Sequence, residues 1–335
     1  MKSVVRHLDL LNDWQRDFPL VRAPFAAIGR VTAQSEARVI EAYRSAVQSG
    51  ALSRIGGVFD SRAGGAGLLA AMAVPPERLD AVAAIVSAHP GVNHNYEREH
   101  AFNLWFVMTG RDASSVNAEM DHLEARTGLP ALRLPMRQVY RIDLGFDLRH
   151  HRAETRRSLL GATAEPEALL PSDRALAAVV ESGLALQPLP FDAWALATER
   201  PTSDVLQTLQ RWLRSGVLRR FGTVVRHHEL GFAANAMAVF DVPDDAVDRI
   251  GHALAAEPGL TLIYRRERAG TWPYNLYCMV HGRDRATVTD VLAGVIERQG
   301  LHAFERDVLF SRRRFKQAGA RRFRAPVEEA SHAAG

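Results

Sequence analysis

A long self-repeat constrains this chain more than any other feature. Ser49-Gly50-Ala51-Leu52-Ser53-Arg54-Ile55-Gly56-Gly57-Val58 returns as Ser215-Gly216-Val217-Leu218-Arg219-Arg220-Phe221-Gly222-Thr223-Val224. Ala71-Met72-Ala73-Val74 returns as Ala236-Met237-Ala238-Val239, and Phe102-Asn103-Leu104-Trp105 as Tyr274-Asn275-Leu276-Tyr277. Tyr96-Glu97-Arg98-Glu99 follows Pro90-Gly91 as Tyr264-Arg265-Arg266-Glu267 follows Pro258-Gly259. The spacing drifts by only a few residues along the match, which marks a duplicated domain rather than a short-period solenoid. Two copies in one chain predict a covalent pseudo-dimer, and the positions where they differ are where roles divide.

A chain of 335 residues suits two domains, or two pairs of small ones, each with a real core. No apolar run approaches the roughly 20 residues of a membrane helix. Met1 to Asp9 lacks an uninterrupted apolar signal core, so the expected compartment is the cytoplasm, with no membrane partner. Cys278 is the single cysteine, which excludes an internal disulfide framework and a cysteine-based zinc site. The net charge is +4, and the cations are nearly all arginine, Lys2 and Lys316 being the only lysines. Codon bias alone would enrich arginine. Guanidinium forks also grip carboxylates and phosphates in two-point geometry.

Each copy opens with helices. The apolar spacing predicts a helix over 7–21, broken by Pro19 and Pro24, and a capped helix that starts within Thr32-Ala33-Gln34-Ser35-Glu36 and runs to about Gln48, closed by Gly50. Leu176–Leu186 and Ser203–Leu213 repeat the plan, the outline of a winged helix-turn-helix. Strands follow over 54–60, 68–74, 92–98 and 102–108, with helices over 76–87 and 113–127 and a last strand over 134–142. The second copy gives strands over 219–226, 235–241, 261–266, 274–281 and 304–310, with helices over 244–255 and 286–298. The expected fold is α+β: a duplicated winged helix-turn-helix plus ferredoxin-like domain, in a ββαββα order slightly shifted from βαββαβ. The divisions are 1–50 and 51–148 for copy one, 149–172 as a linker, 173–216 and 217–324 for copy two, and 325–335 as a disordered tail. This plan resembles the leucine-responsive/AsnC regulators, which dimerise through such sheets.

The expected recognition helices offer Glu36, Arg38, Glu41 and Arg44 in one copy and Asp204, Gln207, Gln210, Arg211 and Arg214 in the other. Acidic residues beside the arginines leave no basic stripe, which argues against DNA as a partner. The strand motifs are richer. Alternation puts Val92, His94, Tyr96 and Arg98 on one face, matched by Leu262, Tyr264 and Arg266. A lone strand histidine is more often a hydrogen-bonded structural residue, but a Tyr and an Arg on the same face favour a site. Copy two has Arg226-His227-His228-Glu229 where copy one has no histidine; a solvated strand end is the plain alternative. Arg54 and Arg220, with Arg98, Arg226, Arg265, Arg266 and Arg268, are candidates to line a cationic pocket. Asn103 and Asn275 are polar groups in apolar strands, and Trp105, Trp272 and Tyr277 could pack a flat macrocycle or form ordinary core. The run Arg312 to Phe323 reads as a basic tail, either solvated or attracting anions.

Longer motifs resemble one branch of that regulator family, the siroheme decarboxylases. They are Arg54-Ile55-Gly56, His94-Asn95-Tyr96-Glu97-Arg98, Asn103-Leu104-Trp105-Phe106, Arg219-Arg220-Phe221-Gly222 through Phe232, Trp272-Pro273-Tyr274-Asn275-Leu276, and Leu309 through Gln317. The chain looks like a fused form of the two subunits, from haem d1 biosynthesis. The resemblance implies conversion of siroheme to 12,18-didecarboxysiroheme, the C12 and C18 acetates becoming methyls with release of two CO2. It implies His94, Tyr96, Arg98, His227 and His228 as catalytic residues. Arg54, Asn103, Trp105, Arg220, Arg226, Tyr264, Arg266 and Asn275 would bind substrate. No cofactor beyond the substrate's own iron is implied, with His94 and His228 as candidate iron ligands and haem as a further possible ligand. The main alternatives are a haem- or ligand-responsive DNA-binding regulator and a non-catalytic tetrapyrrole carrier; further pairing of fused chains is left open.

Overall fold

The computed structural model describes residues 8–60, 62–142, 169–225 and 234–323. The linker up to residue 168 and the stretch 325–335 lie outside them. Three helices open copy one: α1 (Leu8–Asp13), α2 (Pro24–Thr32) and α3 (Glu36–Gln48). The apolar spacing predicts one helix over 7–21, broken by Pro19 and Pro24. Instead α1 ends at Asp13, and Pro24 opens α2, because in the first helical turn a proline lacks only a donor that would be unpaired anyway. The cap of α3 falls within the expected stretch, on Ser35, its hydroxyl accepting from the Arg38 amide at 3.4 Å.

Two further helices of copy one, α4 (Leu79–Ala88) and α5 (Ala113–Thr127), lie among its strands. In copy two, α6 (Arg174–Ser182), α7 (Pro190–Ala197) and α8 (Thr202–Arg214) repeat the helical plan. Periodicity did not place α7, which Pro190 opens as Pro24 opens α2. The turn into each second helix closes with the same backbone bond, Gln34 N to Gly29 O at 2.8 Å and Arg200 N to Ala195 O at 3.0 Å.

The first strands of the two copies, β1 (Leu52–Phe59) and β6 (Leu218–Val225), pair antiparallel with each other, Gly56 opposite Gly222. They share one apolar core with the helices of both copies. Both glycines are needed for this approach: a Cβ at Gly222 would lie 2.2 Å from Trp14 O, and one at Gly56 2.8 Å from Val180 O. With β1 removed to this layer, copy one's remaining order is β2 (Ala66–Met72), α4, β3 (Val92–Arg98), β4 (Leu104–Gly110), α5 and β5 (Ala131–Ile142). That is βαββαβ, so the shifted order read from the sequence resolves into the usual one. Copy two repeats it as β7 (Ala234–Phe240), α9 (Val247–Ala255), β8 (Leu260–Arg266), β9 (Leu276–Gly282), α10 (Arg285–Arg298) and β10 (Arg306–Gln317).

The two sheets close into one eight-stranded barrel, β10-β3-β4-β2-β5-β8-β9-β7. The last strand of each copy is shared. β5 pairs with β2 as far as Pro135, then with β8 from Met136. β10 pairs with β7 as far as Phe310, then with β3 from Ser311 to Gln317. The arginine-rich run read as a tail is therefore strand as far as Gln317, held because copy one's sheet offers an edge to pair with. Closure leaves no free edge. Outward faces pack on helices, as Leu68, Phe106 and Met108 do with Val82, Val116 and Met120. Cys278 lies in the corresponding core of copy two, where burial pushes its thiol up to about 12. No helix among the described residues is long and apolar enough to cross a membrane.

Candidate active site

Strand alternation turns His94, Tyr96 and Arg98 of β3 into the barrel, while Asn95 points outward and donates to Ala83 O of α4 at 3.1 Å. A bulge between Val92 and His94 sends Val92 into the outer core, so it does not share their face as the simple alternation predicted. On β8, Tyr264 and Arg266 occupy the matching positions. Each arginine donates from Nη1 to the last strand of the other copy: Arg98 to Leu309 O at 2.9 Å and Arg266 to Leu134 O at 2.7 Å. Each also stacks near its tyrosine, at 5.6 Å for Arg98 over Tyr96 and 4.6 Å for Arg266 over Tyr264.

Both guanidiniums are buried, and no ion pair joins either to a carboxylate among the described residues. The Nε atom of each lacks a hydrogen-bond partner. Burial pulls both below the ordinary arginine value, Arg98 to about 10. A buried cation without a counter-charge costs stability. A bound anion would offset that cost.

Above Arg98 the His94 Nδ1 lies 3.4 Å from the Tyr96 hydroxyl, with the rings stacked at 6.0 Å. Burial lowers His94 to about 4 and raises Tyr96, the latter opposed by Arg98 and Arg314. Near neutral pH this is a neutral imidazole beside an intact phenol. His281 was missed by the sequence reading. It follows Tyr277 and Met279 on the inward face of β9, and its Nδ1 lies 3.0 Å from Thr261 Oγ1. Burial, then the charge of Arg98, lowers it to about 4. The alternation of β9 was legible, but copy one has Thr109 at the matched position, so the comparison of copies drew no attention to it.

The barrel is sealed at one end. Trp105, Trp272, Tyr274 and Tyr277 pack on one another there, with Trp105 and Trp272 at 5.1 Å and Trp272 Nε1 donating to the Tyr277 hydroxyl at 2.7 Å. Trp105 therefore forms a floor instead of a wall for a flat ligand. At the other end His94, Tyr96, Val139, Leu262 and Arg314 keep part of their surface exposed. The interior is a cup, and the five residues from Arg98 to His94 span about 13 Å of its wall.

Several candidates lie elsewhere. Asn103 clamps the Val74 backbone, accepting from its N–H at 2.9 Å and donating to its carbonyl at 2.8 Å; Asn275 does the same to Val242 at 3.0 and 2.8 Å. These asparagines satisfy backbone groups at the strand ends. Arg54 and Arg220 belong to β1 and β6, outside the barrel; Arg54 donates to Gly57 O, and Arg220 to Gln15 O and Thr223 O. Arg265 and Arg268 pair with Asp244, and also with Asp248 and Asp241 respectively. Arg226, His227 and His228 lie outside the described residues. No group of three or more potential metal-binding side chains occurs among the described residues. In the helix-turn-helix layer Arg44 donates to Leu186 O at 2.9 Å, and Arg211 pairs with Asp173 at 2.7 Å.

Residues 62–141 and 229–316 match the AsnC-like ligand binding domain, and residues 8–52 the siroheme decarboxylase NirDL-like HTH domain. The siroheme decarboxylase NirDL subunit of Paracoccus denitrificans is 41% identical over 314 residues, covering 93% of this chain and 96% of that one. The separate NirD subunit of Stutzerimonas stutzeri is 46% identical over 139 residues, 42% of this chain and 91% of its own length. A crystal structure of the siroheme decarboxylase NirDL with an iron-uroporphyrin III analogue aligns with a TM-score of 0.66 at 25% identity, covering 96% of this chain and 94% of that one. The full-length match, the fused pair of copies and the shared fold agree, and this chain belongs to the siroheme decarboxylase family.

Proposed function

We propose that this chain removes two acetate carboxyl groups from siroheme, giving 12,18-didecarboxysiroheme and two CO2, and that the barrel cup is where it does so. The observation that carries this reading is the pair of buried guanidiniums, Arg98 and Arg266, held above an aromatic floor with no carboxylate partner among the described residues. A macrocycle bearing eight carboxylates is a ligand whose charge matches them. The iron arrives as part of the substrate, and the macrocycle itself accepts the electron pair released with each CO2.

In each step the bond between the acetate methylene and its carboxyl carbon breaks. The electron pair passes into the ring system, and one proton then converts the methylene to a methyl group. Arg98 and Arg266 anchor carboxylates that are retained. His94 is neutral in the free protein, but the carboxylates of an incoming substrate raise its affinity for a proton. The imidazole takes up a proton as the substrate enters and delivers it to the methylene carbon, with the Tyr96 hydroxyl at Nδ1 orienting the ring. Neutral His281, its Nδ1 beside Thr261 Oγ1, lies on the same interior wall.

Anaerobic incubation with siroheme followed by mass spectrometry tests the proposal. Loss of one and then two CO2 is expected. A shifted Soret band without mass loss would instead identify a tetrapyrrole carrier, and no spectral change would remove siroheme as the ligand.

A further inference from the structure

The matched interior positions of the two copies differ in one consistent direction. His94 on β3 corresponds to Leu262 on β8. On the last strands, Ser311 stands opposite Arg98 and Arg314 opposite Tyr96, whereas Met136 stands opposite Arg266 and Val139 opposite Tyr264. Asn235 on β7 corresponds to Gly67 on β2, because they pair with the matched residues His281 on β9 and Thr109 on β4; the likeness of Ala71-Met72-Ala73-Val74 to Ala236-Met237-Ala238-Val239 is therefore three residues out of structural register. Each of these differences puts the more polar residue on β9, β7, β10 or β3, and those four strands are neighbours in the barrel. At these differing positions the cup therefore has a more polar half and a more apolar half, although both halves keep a tyrosine and an arginine and each is built from strands of both copies.

Two contacts bind the polar half together. Ser311 Oγ donates to Asn235 Oδ1 at 2.7 Å, and Arg314 Nη1 donates to Gln317 Oε1 at 2.9 Å. Gln317 stands opposite His94, which brings the Arg314–Gln317 pair beside the His94–Tyr96 pair. Both Arg314 and Gln317 are half-buried at the open end of the cup, and a carboxylate there would lie beside a guanidinium, a primary amide and an imidazole. The apolar half offers Leu262 and Val139 at the matching places, with no proton donor at the position of His94.

We infer that Arg314 and Gln317 bind substrate carboxylates at the polar wall, and that this one wall carries out both decarboxylations, the macrocycle turning in the cup between them. This rests on the decarboxylase reading above. It extends it by assigning proton delivery for both losses to His94, since Leu262 offers no donor at the matching place and, among the described residues, no histidine stands on the strands of that half. Each acetate loses CO2 with uptake of one proton, and the second acetate reaches His94 only after the ring has been repositioned.

Single-turnover time courses of siroheme, resolved by mass spectrometry into loss of the first and second CO2, test this with Arg314→Met, Gln317→Leu and Arg314→Lys. Melting temperature is followed for each variant. Arg314→Met is expected to weaken substrate binding about tenfold to a hundredfold, the worth of one charge-assisted hydrogen bond. It should slow both losses by a similar factor at subsaturating substrate, leave the melting temperature in place, and be partly rescued by Arg314→Lys. Gln317→Leu should act in the same direction and more weakly. A variant that slows one loss while the other keeps its wild-type rate would establish two separate walls and overturn the inference. Unchanged kinetics in both Arg314→Met and Gln317→Leu would overturn it as well. Absence of any CO2 loss in the wild-type chain would instead overturn the decarboxylase reading itself.

Discussion

Replacing Arg98 by methionine separates a ligand-binding role from a structural one, because the two roles predict opposite changes in stability. Burial draws the Arg98 guanidinium well below the ordinary arginine value, to about 10. At about 1.4 kcal/mol for each tenfold change in proton affinity, holding that charge inside the barrel costs about 3 kcal/mol. The side chain recovers part of this through its hydrogen bond to Leu309 O, worth about 1 kcal/mol, and its contact with Tyr96, worth about 1 kcal/mol. Methionine keeps an apolar stem of similar length. Arg98→Met should therefore leave the free protein as stable as before or about 1 kcal/mol more stable, a rise of roughly 2–4 °C in melting temperature. The same change removes a charge-assisted contact to a substrate carboxylate, and siroheme binding should weaken about tenfold to a hundredfold. The assay pairs a thermal melt of the free protein with an anaerobic Soret titration. A fall of several degrees in melting temperature with unchanged affinity would refute the reasoning and make Arg98 a strut between β3 and β10.

The buried histidines give a pH dependence. His94 and His281 titrate near 4 in the folded chain and at 6.5 when unfolded, so the unfolded state binds more protons between those values and stability falls as pH drops through that window. His94→Leu, which installs the residue copy two already uses, should flatten that acid slope, as measured by urea midpoints across the window; an unaltered slope would place the titration elsewhere. Asn103→Ala and Asn275→Ala each strand a backbone N–H and carbonyl and should cost about 2 kcal/mol in denaturant melts while leaving the siroheme KM in place. Gly222→Ala forces a Cβ to within 2.2 Å of Trp14 O and should destabilise the helical layer by more than 2 kcal/mol; a neutral melting temperature would show that α1 can withdraw from β6.

The duplication, the βαββαβ units and the inward row His94–Tyr96–Arg98 were legible because each is written locally, as repetition or as period-two alternation. What failed was everything decided by a partner distant in sequence. β1 carries an ordinary strand pattern, and nothing in it says that its mate is β6 instead of β2. Arg312 to Gln317 looks like a tail until β3 offers it an edge, and only then does Arg314 acquire an inward direction opposite Tyr96. Asn103 and Asn275 drew notice as polar residues in apolar strands, correctly, but their partners proved to be backbone groups about thirty residues away. His281 escaped because the comparison of copies weighted shared residues and paired histidines over single substitutions.

Those substitutions also give the duplication its meaning. Two matched copies supply a closed barrel with a symmetric pair of anchoring arginines, and the differences between them polarise its interior. The measurement that tests this most directly is siroheme binding and turnover by His94→Leu beside the wild-type chain, under anaerobic conditions, with the Soret band reporting binding and mass spectrometry reporting CO2 loss. The account predicts a variant that still binds siroheme, because Arg98 and Arg266 remain, yet releases neither CO2, while the wild-type chain releases both. Wild-type turnover by His94→Leu would contradict it.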